Sequence, residues 1–315
     1  MKALLEFVNR PWVGVVLWLA GLGIPLVLDQ TWVFIAALFA VYAIVALSQD
    51  VVLGRAGMFD MGHAVYFGVG AYVTAILNTV YGWPILATWP LAVLAAALAG
   101  ALLAAPIVKL RGDYLLVATI GFNAIFILAL DNNLGHLTGG ADGVFGIGGP
   151  SLFGLDASSQ NAQFWLDWVA FAAIMLLIRN LDRSHLGRTF HYIKHDQLAA
   201  TTMGVDTRKY RVLAFALGAA LAGFAGTLFA ALMAAVSPGS FVFTASVTLF
   251  AIVLVGGQGS IPGVLLGTAL MFVVPQAFQS FEKYRYFVFG IAMVLIMVLR
   301  PQGIWPRMAR KESVR

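Results

Sequence analysis

Apolar residues run along this chain in long continuous stretches, not in alternation. A helix needs about 20 such residues to cross roughly 30 Å of hydrocarbon. Ten stretches approach that length: 11–28, 31–47, 62–80, 85–108, 114–130, 165–179, 212–235, 241–257, 261–279 and 286–299. Continuous runs predict spanning helices, where a barrel would show two-residue alternation. Several runs are short, which predicts tilted, broken or re-entrant helices. The first run does not read as a signal peptide. Lys2 and Arg10 precede it, but no small-residue cleavage site follows Leu28, and Asp29-Gln30 lead directly into the next run.

Composition agrees with the pattern. Of 315 residues 61% are apolar and only 10% are charged, against about a quarter in a soluble domain. So few charges cannot solvate the surface of a globular protein this long, which excludes a cytosolic enzyme, a disordered chain and a disulfide-built secreted domain. With no Cys in the chain, thiol catalysis and Cys-ligated zinc are excluded as well. The net charge of +5 is no sign of nucleic-acid binding here, because the charges sit between apolar runs. Seven of the 19 Lys and Arg fall in one stretch: Arg179, Arg183, Arg188, Lys194, Arg208, Lys209 and Arg211. Five more end the chain, whereas 131–164 has none. Ten spans place Lys2, Lys109, Arg111, the 179–211 stretch and the C-terminus on one side, and the positive-inside rule makes that side cytoplasmic. Lys283 and Arg285 are the exceptions. The expectation is an all-α polytopic membrane protein of about ten spans, N-in and C-in. It forms a single domain over 1–315, with a cytoplasmic loop at 180–210 and an external loop at 131–164.

The chemistry is sparse. From Val212 to Phe281 there is no Asp, Glu, Lys, Arg or His. A carrier coupled to ions or protons needs an ionisable group or a cation site at membrane depth. The nearest candidates are Asp50, Arg55 and Asp60, around a Gly-rich break. The chain contains no G-x-x-x-x-G-K-[ST] phosphate loop, no H-E-x-x-H and no G-x-S-x-G. It reads as a non-enzymatic protein whose driving energy comes from another polypeptide.

Ser184–Thr207, SHLGRTFHYIKHDQLAATTMGVDT, is the most informative loop. Asp196 is suited to cap a helix N-terminus, Gln197–Met203 gives about two turns, and Gly204 supplies a residue able to take the left-handed conformation that ends a helix. Asp206 or Thr207 can cap the next span. Physics alone leaves two readings open: a rigid knob that fits a groove on a soluble partner, or a basic loop lying on anionic headgroups. Gly54, Gly57, Gly62, Gly68 and Gly70 mark the break before the third run. Glycine there serves either close helix packing or a broken helix beside a pathway. Packing is the preferred reading for Gly68 and Gly70, and the pathway for Gly57, Gly62 and His63. Asp60 has three alternatives: contact with a substrate amine, pairing with Arg55, or a place at the headgroup level. His191 and His195 are four apart, but no ligand spacing completes a metal site. His63 and His136 read as isolated polar residues. Trp83, Trp89, Trp165 and Trp168 read as interfacial anchors.

The motifs decide between these readings by resemblance. Gly187-Arg188, Asp196, Ala199-Ala200 and Gly204-Val205 resemble the cytoplasmic loop of ABC importer permeases. GMFDMGHAVYFGVGAY at Gly57–Tyr72, LRGDYL at Leu110–Leu115 and TGGADG at Thr138–Gly143 resemble segments of the LivM-type branched-chain amino acid permeases. Ser237-Pro238, Gly256-Gly257-Gln258-Gly259-Ser260 and Arg300-Pro301-Gln302-Gly303 follow in the same order, so the likeness covers about residues 40–305. The chain departs at Asp60, where many members carry Ser, and at Asn123-Ala124, where many read Gly-Glu. The resemblance implies a multi-pass permease of a bacterial inner membrane that pairs with a second homologous permease. It implies two ABC ATPase subunits that bind ATP and Mg, and a periplasmic substrate-binding protein. It assigns Gly187, Arg188, Asp196, Ala199, Ala200, Gly204 and Val205 to ATPase coupling, and Thr138, Gly139, Gly140 and Asp142 to external docking. It assigns Gly57, Asp60, Gly62, His63, Tyr66, Gly256, Gly257, Gly259 and Ser260 to the translocation path. No catalytic residue, metal site or cofactor is expected in this chain. The ligand stays open between branched-chain amino acids and urea, amides or aromatic and short-chain acids. An autonomous channel or secondary carrier, or a poreless scaffold, is the competing class.

Overall fold

The computed structural model describes residues 18, 21–110, 112–152, 155–156, 159–273, 275, 290–291, 294 and 303–305. Most of the expected spans 11–28 and 286–299 lies outside the described residues, as do Arg111, Lys283, Arg285, Arg300-Pro301-Gln302 and the basic residues that follow. The described elements are α1 (Ile24–Val27), α2 (Gln30–Asp50), α3 (Ala64–Thr79), α4 (Ile85–Ile107), α5 (Asp113–Asp131), α6 (Gln160–Arg183), α7 (His185–His195), α8 (Gln197–Thr202), α9 (Thr207–Met233), α10 (Phe243–Gly256) and α11 (Ile261–Thr268). Among the described residues, six helical stretches are long and apolar enough to cross a membrane: Gln30–Arg55, Ile85–Ile107, Asp113–Asp131, Gln160–Arg183, Thr207–Met233 and Pro238–Gly256. Ala64–Thr79 and Ile261–Val273 are shorter apolar helices.

Helices extend past the apolar runs where a capping side chain is available. α6 starts at Gln160, behind Ser159, whose hydroxyl accepts from the Ala162 amide at 3.4 Å. α9 starts at Thr207, behind Asp206, which accepts from the Lys209 amide at 3.1 Å. Arg208, Lys209 and Arg211 are therefore helical, a position that an apolar criterion cannot register. α2 runs on to Asp50 and continues as one π-type turn, Val51–Arg55.

α9 is the central rod, packed against α2, α3, α4 and α6. Glycines set its closest crossings. A Cβ on Gly70 would strike the Gly223 carbonyl, and one on Gly226 would strike that of Phe67. Gly100 of α4 meets Ala219, and Gly223 meets Ala96. Helices do not associate in lipid by hiding apolar surface from water, so close backbone approach of this kind is what holds them. Gly68 and Gly70 are thus packing residues. Around this contact Phe67, Phe229 and Phe241 interlock, with ring centroids 5.1–6.0 Å apart. The outer face of α4 carries Leu91, Leu94, Leu98 and Leu102, all exposed, at helical spacing suited to lipid.

α6 packs on α2 through Phe39, Phe164, Trp168 and Phe171. Trp168 is buried there and is no interfacial anchor, which corrects the sequence reading; Trp83 and Trp165 are exposed. The 131–164 loop is partly ordered by strands: β1 (Val144–Phe145) pairs antiparallel with β4 (Ala235–Val236), just past α9. β2 (Ser151–Leu152) and β3 (Leu155–Asp156) form a hairpin.

The α3–α9 crossing gives a direct test. Gly70→Val drives a branched side chain into the Gly223 backbone and should lower stability by about 1–3 kcal/mol. Gly121→Ala, with nothing within 4 Å of the added carbon, should leave it unchanged. Thermal unfolding of the purified protein in detergent compares the two.

Candidate functional site

The site is built around two breaks in the helical framework. At the first, residues 56–63 leave the helical path between the π-type turn and α3. A break inside the bundle exposes backbone groups that lipid cannot satisfy. Side chains of four elements satisfy them. Gln49 Nε2 donates to the Asp60 carbonyl at 2.7 Å. The Met61 amide donates to Thr119 Oγ1 at 3.1 Å, the Gly62 amide to Asp60 Oδ1 at 2.9 Å and the Ala64 amide to Ser246 Oγ at 3.1 Å. Gly62 lies against the Thr119 backbone, where a Cβ would contact the Thr119 carbonyl at 2.5 Å.

His63 is held at both ring nitrogens. Nδ1 meets Asp60 Oδ2 at 3.0 Å and Nε2 meets Ser48 Oγ at 2.8 Å. The one hydroxyl hydrogen of Ser48 points to the Val45 carbonyl at 2.6 Å, so Nε2 is the donor to Ser48. Of the alternatives for Asp60, pairing with Arg55 is not made: Asp60 is fully buried and pairs with His63, which corrects the reading of His63 as isolated. Tyr66 packs edge-on to the His63 ring, with centroids 5.4 Å apart.

Arg55 is paired elsewhere. It is 2% exposed and binds the buried Asp50 carboxylate through Nη1. It also binds Asp182 of α6 through Nε at 2.8 Å and Nη2 at 3.0 Å. A buried cation is tolerated only with such partners, and the two-pronged contact with Asp182 uses the planar fork of guanidinium. Asp50 Oδ1 also accepts from the Gly259 amide at 2.7 Å.

That bond joins the first break to the second, residues 257–260 between α10 and α11. Gly257 and Gly259 have φ of +126° and +75°, a region open to glycine and strained for other residues. Ser260 caps α11, accepting from the Gly263 amide at 3.3 Å. Gly256 and Gly263 meet backbone to backbone. The amides of Ile304 and Trp305 donate to the carbonyls of Val255 and Gly256. Of the nine residues assigned to the path, only Gly57 is exposed; Asp60, Gly62, His63, Tyr66, Gly256, Gly257, Gly259 and Ser260 are buried.

The 180–210 loop folds as two helices. Ser184 caps α7, and Gly187 lies against the Leu181 carbonyl, where a side chain has no room. Arg188 reaches back to the Arg183 carbonyl. Asp196 caps α8, accepting from the Leu198 and Ala199 amides at 2.9 and 3.0 Å. Ala200 is buried beneath α8, and Gly204 ends it with φ +83°. Leu198 and Met203 project outward at 73% and 83% exposure, and Ala199 is also exposed. Val205 returns toward Ala200 through its amide. Two adjoining cavities of about 220 Å³ each lie at the base of this knob. Both are lined by Gln197 and Arg211; one adds Gly57 and Lys194, the other Lys109 and Arg208. Lys209 holds the Asp206 carboxyl below the usual carboxylate range by hydrogen bonding. His191 and His195 sit ring to ring, and among the described residues no three His, Cys, Asp or Glu side chains converge.

In the 131–164 loop, Asn133 Oδ1 accepts from the Thr138 and Gly139 amides, both at 3.1 Å. Thr138 and Gly140 are buried, while Gly139 and Asp142 face outward. Gly143, at φ +86°, lies against the Val236 carbonyl, so this loop is fastened to the end of α9.

Residues 31–297 match the family described as branched-chain amino acid transport system / permease component. The chain belongs to this family. It is 37% identical over 305 residues to the high-affinity branched-chain amino acid transport system permease protein LivM of Escherichia coli K12, covering 90% of this chain and 72% of that protein. It is 29% identical to the permease protein BraD of Pseudomonas aeruginosa, covering 84% and 92%. It is 26% identical to the permease protein LivH of Escherichia coli K12, covering 84% and 91%. No solved structure matches. As a family member with six helices of spanning length, the chain is a multi-pass membrane permease.

Sequence reasoning did not single out Ser48, Gln49, Thr119, Asp182, Lys194 or Ser246 for the site. One signal was available: Ser48-Gln49-Asp50 closes an otherwise apolar run with three polar residues.

Two outcomes follow from the geometry. Asp60→Asn can donate its amide to His63 Nδ1, so it should cost clearly less than Asp60→Leu, which leaves buried donors unmatched. Thermal unfolding of both variants measures the gap. Asp206 contributes stability above its unfolded value of 3.8 and loses that contribution as pH falls through its lower folded value. The stability difference between wild type and Asp206→Asn should therefore be constant from pH 7 to about 5 and shrink as pH falls below 3.8, read from unfolding midpoints across that range.

Proposed function

We propose that this chain is one permease half of an ATP-driven importer for branched-chain amino acids in a bacterial inner membrane. The observation that carries the reading is the 37% identity to a named branched-chain amino acid permease over 90% of the chain. A second, homologous permease completes the path. Two separate ATPase subunits bind ATP and Mg and supply the energy. A periplasmic binding protein delivers the ligand.

The local geometry supports a division of labour. The knob α7–α8, shaped by Gly187, Asp196, Ala200 and Gly204, presents Leu198, Ala199 and Met203 to a soluble partner. Arg188 and Val205 flank it. The loop carrying Thr138, Gly139, Gly140 and Asp142 is the docking face for the binding protein. The breaks at 57–66 and 256–260 border the translocation path. Because all their assigned residues but Gly57 are buried, the path opens through rearrangement of the breaks, as alternating access requires. ATP closes the ATPase pair, the knob moves with it, and the permease halves rock around the ligand.

Substrates other than branched-chain amino acids would be suggested by the departures at Asp60 and Asn123. Both are absorbed by packing: Asp60 holds His63, and Asn123 donates to the Phe241 carbonyl at 3.2 Å. Neither departure requires a different ligand.

Reconstitution of the chain with its copurifying subunits and cognate binding protein tests the reading. Leucine, isoleucine or valine should accumulate only with ATP and binding protein. Uptake by this chain alone, indifferent to ATP, overturns it, and uptake of urea or short-chain amides without leucine replaces the ligand. Gly204→Val forces a β-branched residue into the left-handed region and should abolish ATP-dependent uptake.

A further inference from the structure

We propose that Lys194 is the positioning residue that transmits movement of the cytoplasmic knob to both helical breaks at once; this inference rests on the reading above. Lys194 lies in the last turn of α7, two residues before the Asp196 cap of α8, so it moves with the knob. Its ammonium donates to the Gly54 carbonyl at 2.7 Å and to Gln258 Oε1 at 3.2 Å. Gly54 lies in the π-type turn that leads into the first break, and Gln258 lies in the second. One side chain therefore spans both, across sequence separations of 140 and 64.

The surroundings make the contact a transmitting one. Gly57 has no side chain and packs on the Lys194 stem, where a Cβ would come within 2.7 Å of Cγ. Gly54 packs on the Asp50 carboxylate and the Gly259 amide. The two breaks are tied to each other by the Asp50–Gly259 bond and to the start of the loop by Arg55–Asp182. The loop thus grips the breaks at both ends, through Asp182 before α7 and Lys194 at its close. The Arg55 grip is buried and multiply bonded, whereas Lys194 is half-buried and adapts as a point charge on a flexible stem. Lys194 is the contact that can follow the knob while Arg55 holds the hinge.

The test uses the assembled transporter and exploits the absence of cysteine from this chain, whose label is counted after the subunits are separated by denaturing electrophoresis. Phe59, in the first break and 41% exposed, is replaced by Cys as the reporter. With Lys194 present, its labelling rate by a maleimide should change at least about threefold on adding ATP. In Lys194→Met the ATP-dependent change should disappear and uptake should fall at least about tenfold, the loss expected for a charge-assisted hydrogen bond. ATP hydrolysis should stay within about twofold. Lys194→Arg should restore part of the response. If Lys194→Met labels with the same ATP response as its parent, the proposal is overturned. If uptake and hydrolysis fall together in both variants, in proportion to lost assembly, Lys194 is only structural and the proposal is likewise overturned. Absence of ATP-dependent uptake in the unmodified transporter would instead refute the importer reading itself.

Discussion

Everything in the centre of this protein follows from one requirement: a backbone that leaves the helix inside the bundle must find hydrogen-bond partners without water. The chain between Val51 and Ala64 meets it with side chains from α2, α5 and α10, namely Gln49, Thr119 and Ser246, and with its own Asp60. These are the polar residues that look anomalous in a sequence so apolar. Their burial is the cost of interrupting a helix in the membrane.

The charges follow the same logic at the neighbouring turn. Asp50, Arg55 and Asp182 would each be intolerable alone in the interior. Together they close a circuit that links the end of α2, the end of α6 and the turn between α10 and α11. Glycine permits the circuit to be this tight. At Gly54 and Gly259 two backbones meet with no room for a side chain, so a polar network that elsewhere would need water is sealed by direct contact.

The legible part of the fold was what hydrophobic length and local capping determine. The helices at 85–108, 114–130 and 212–235 coincide with apolar runs, and Asp196 and Gly204 end α8 as their residue types require. Pairings over long separations were not legible. Asp60 stands five residues from Arg55, a spacing that invites pairing, yet Arg55 reaches Asp182 across 127 residues, and Asp60 turns to His63. Periodicity carries no information about which helix ends meet, and the choice between two nearby carboxylates is made by that meeting. Trp168 failed for the same reason. Interfacial placement is its commonest use in a membrane protein, but α2 supplied an aromatic surface that the sequence does not reveal.

One consequence resides in α9. This helix is about 40 Å long, at about 1.5 Å per residue, and carries no Pro from Thr207 to Met233. At its first residue it is joined to the 180–210 loop through Asp206, and immediately past its last it pairs with the 131–164 loop through β4. Two loops far apart in the fold are thus anchored to opposite tips of one stiff strut. A push applied at one tip needs no relay of rearranging side chains to be felt at the other.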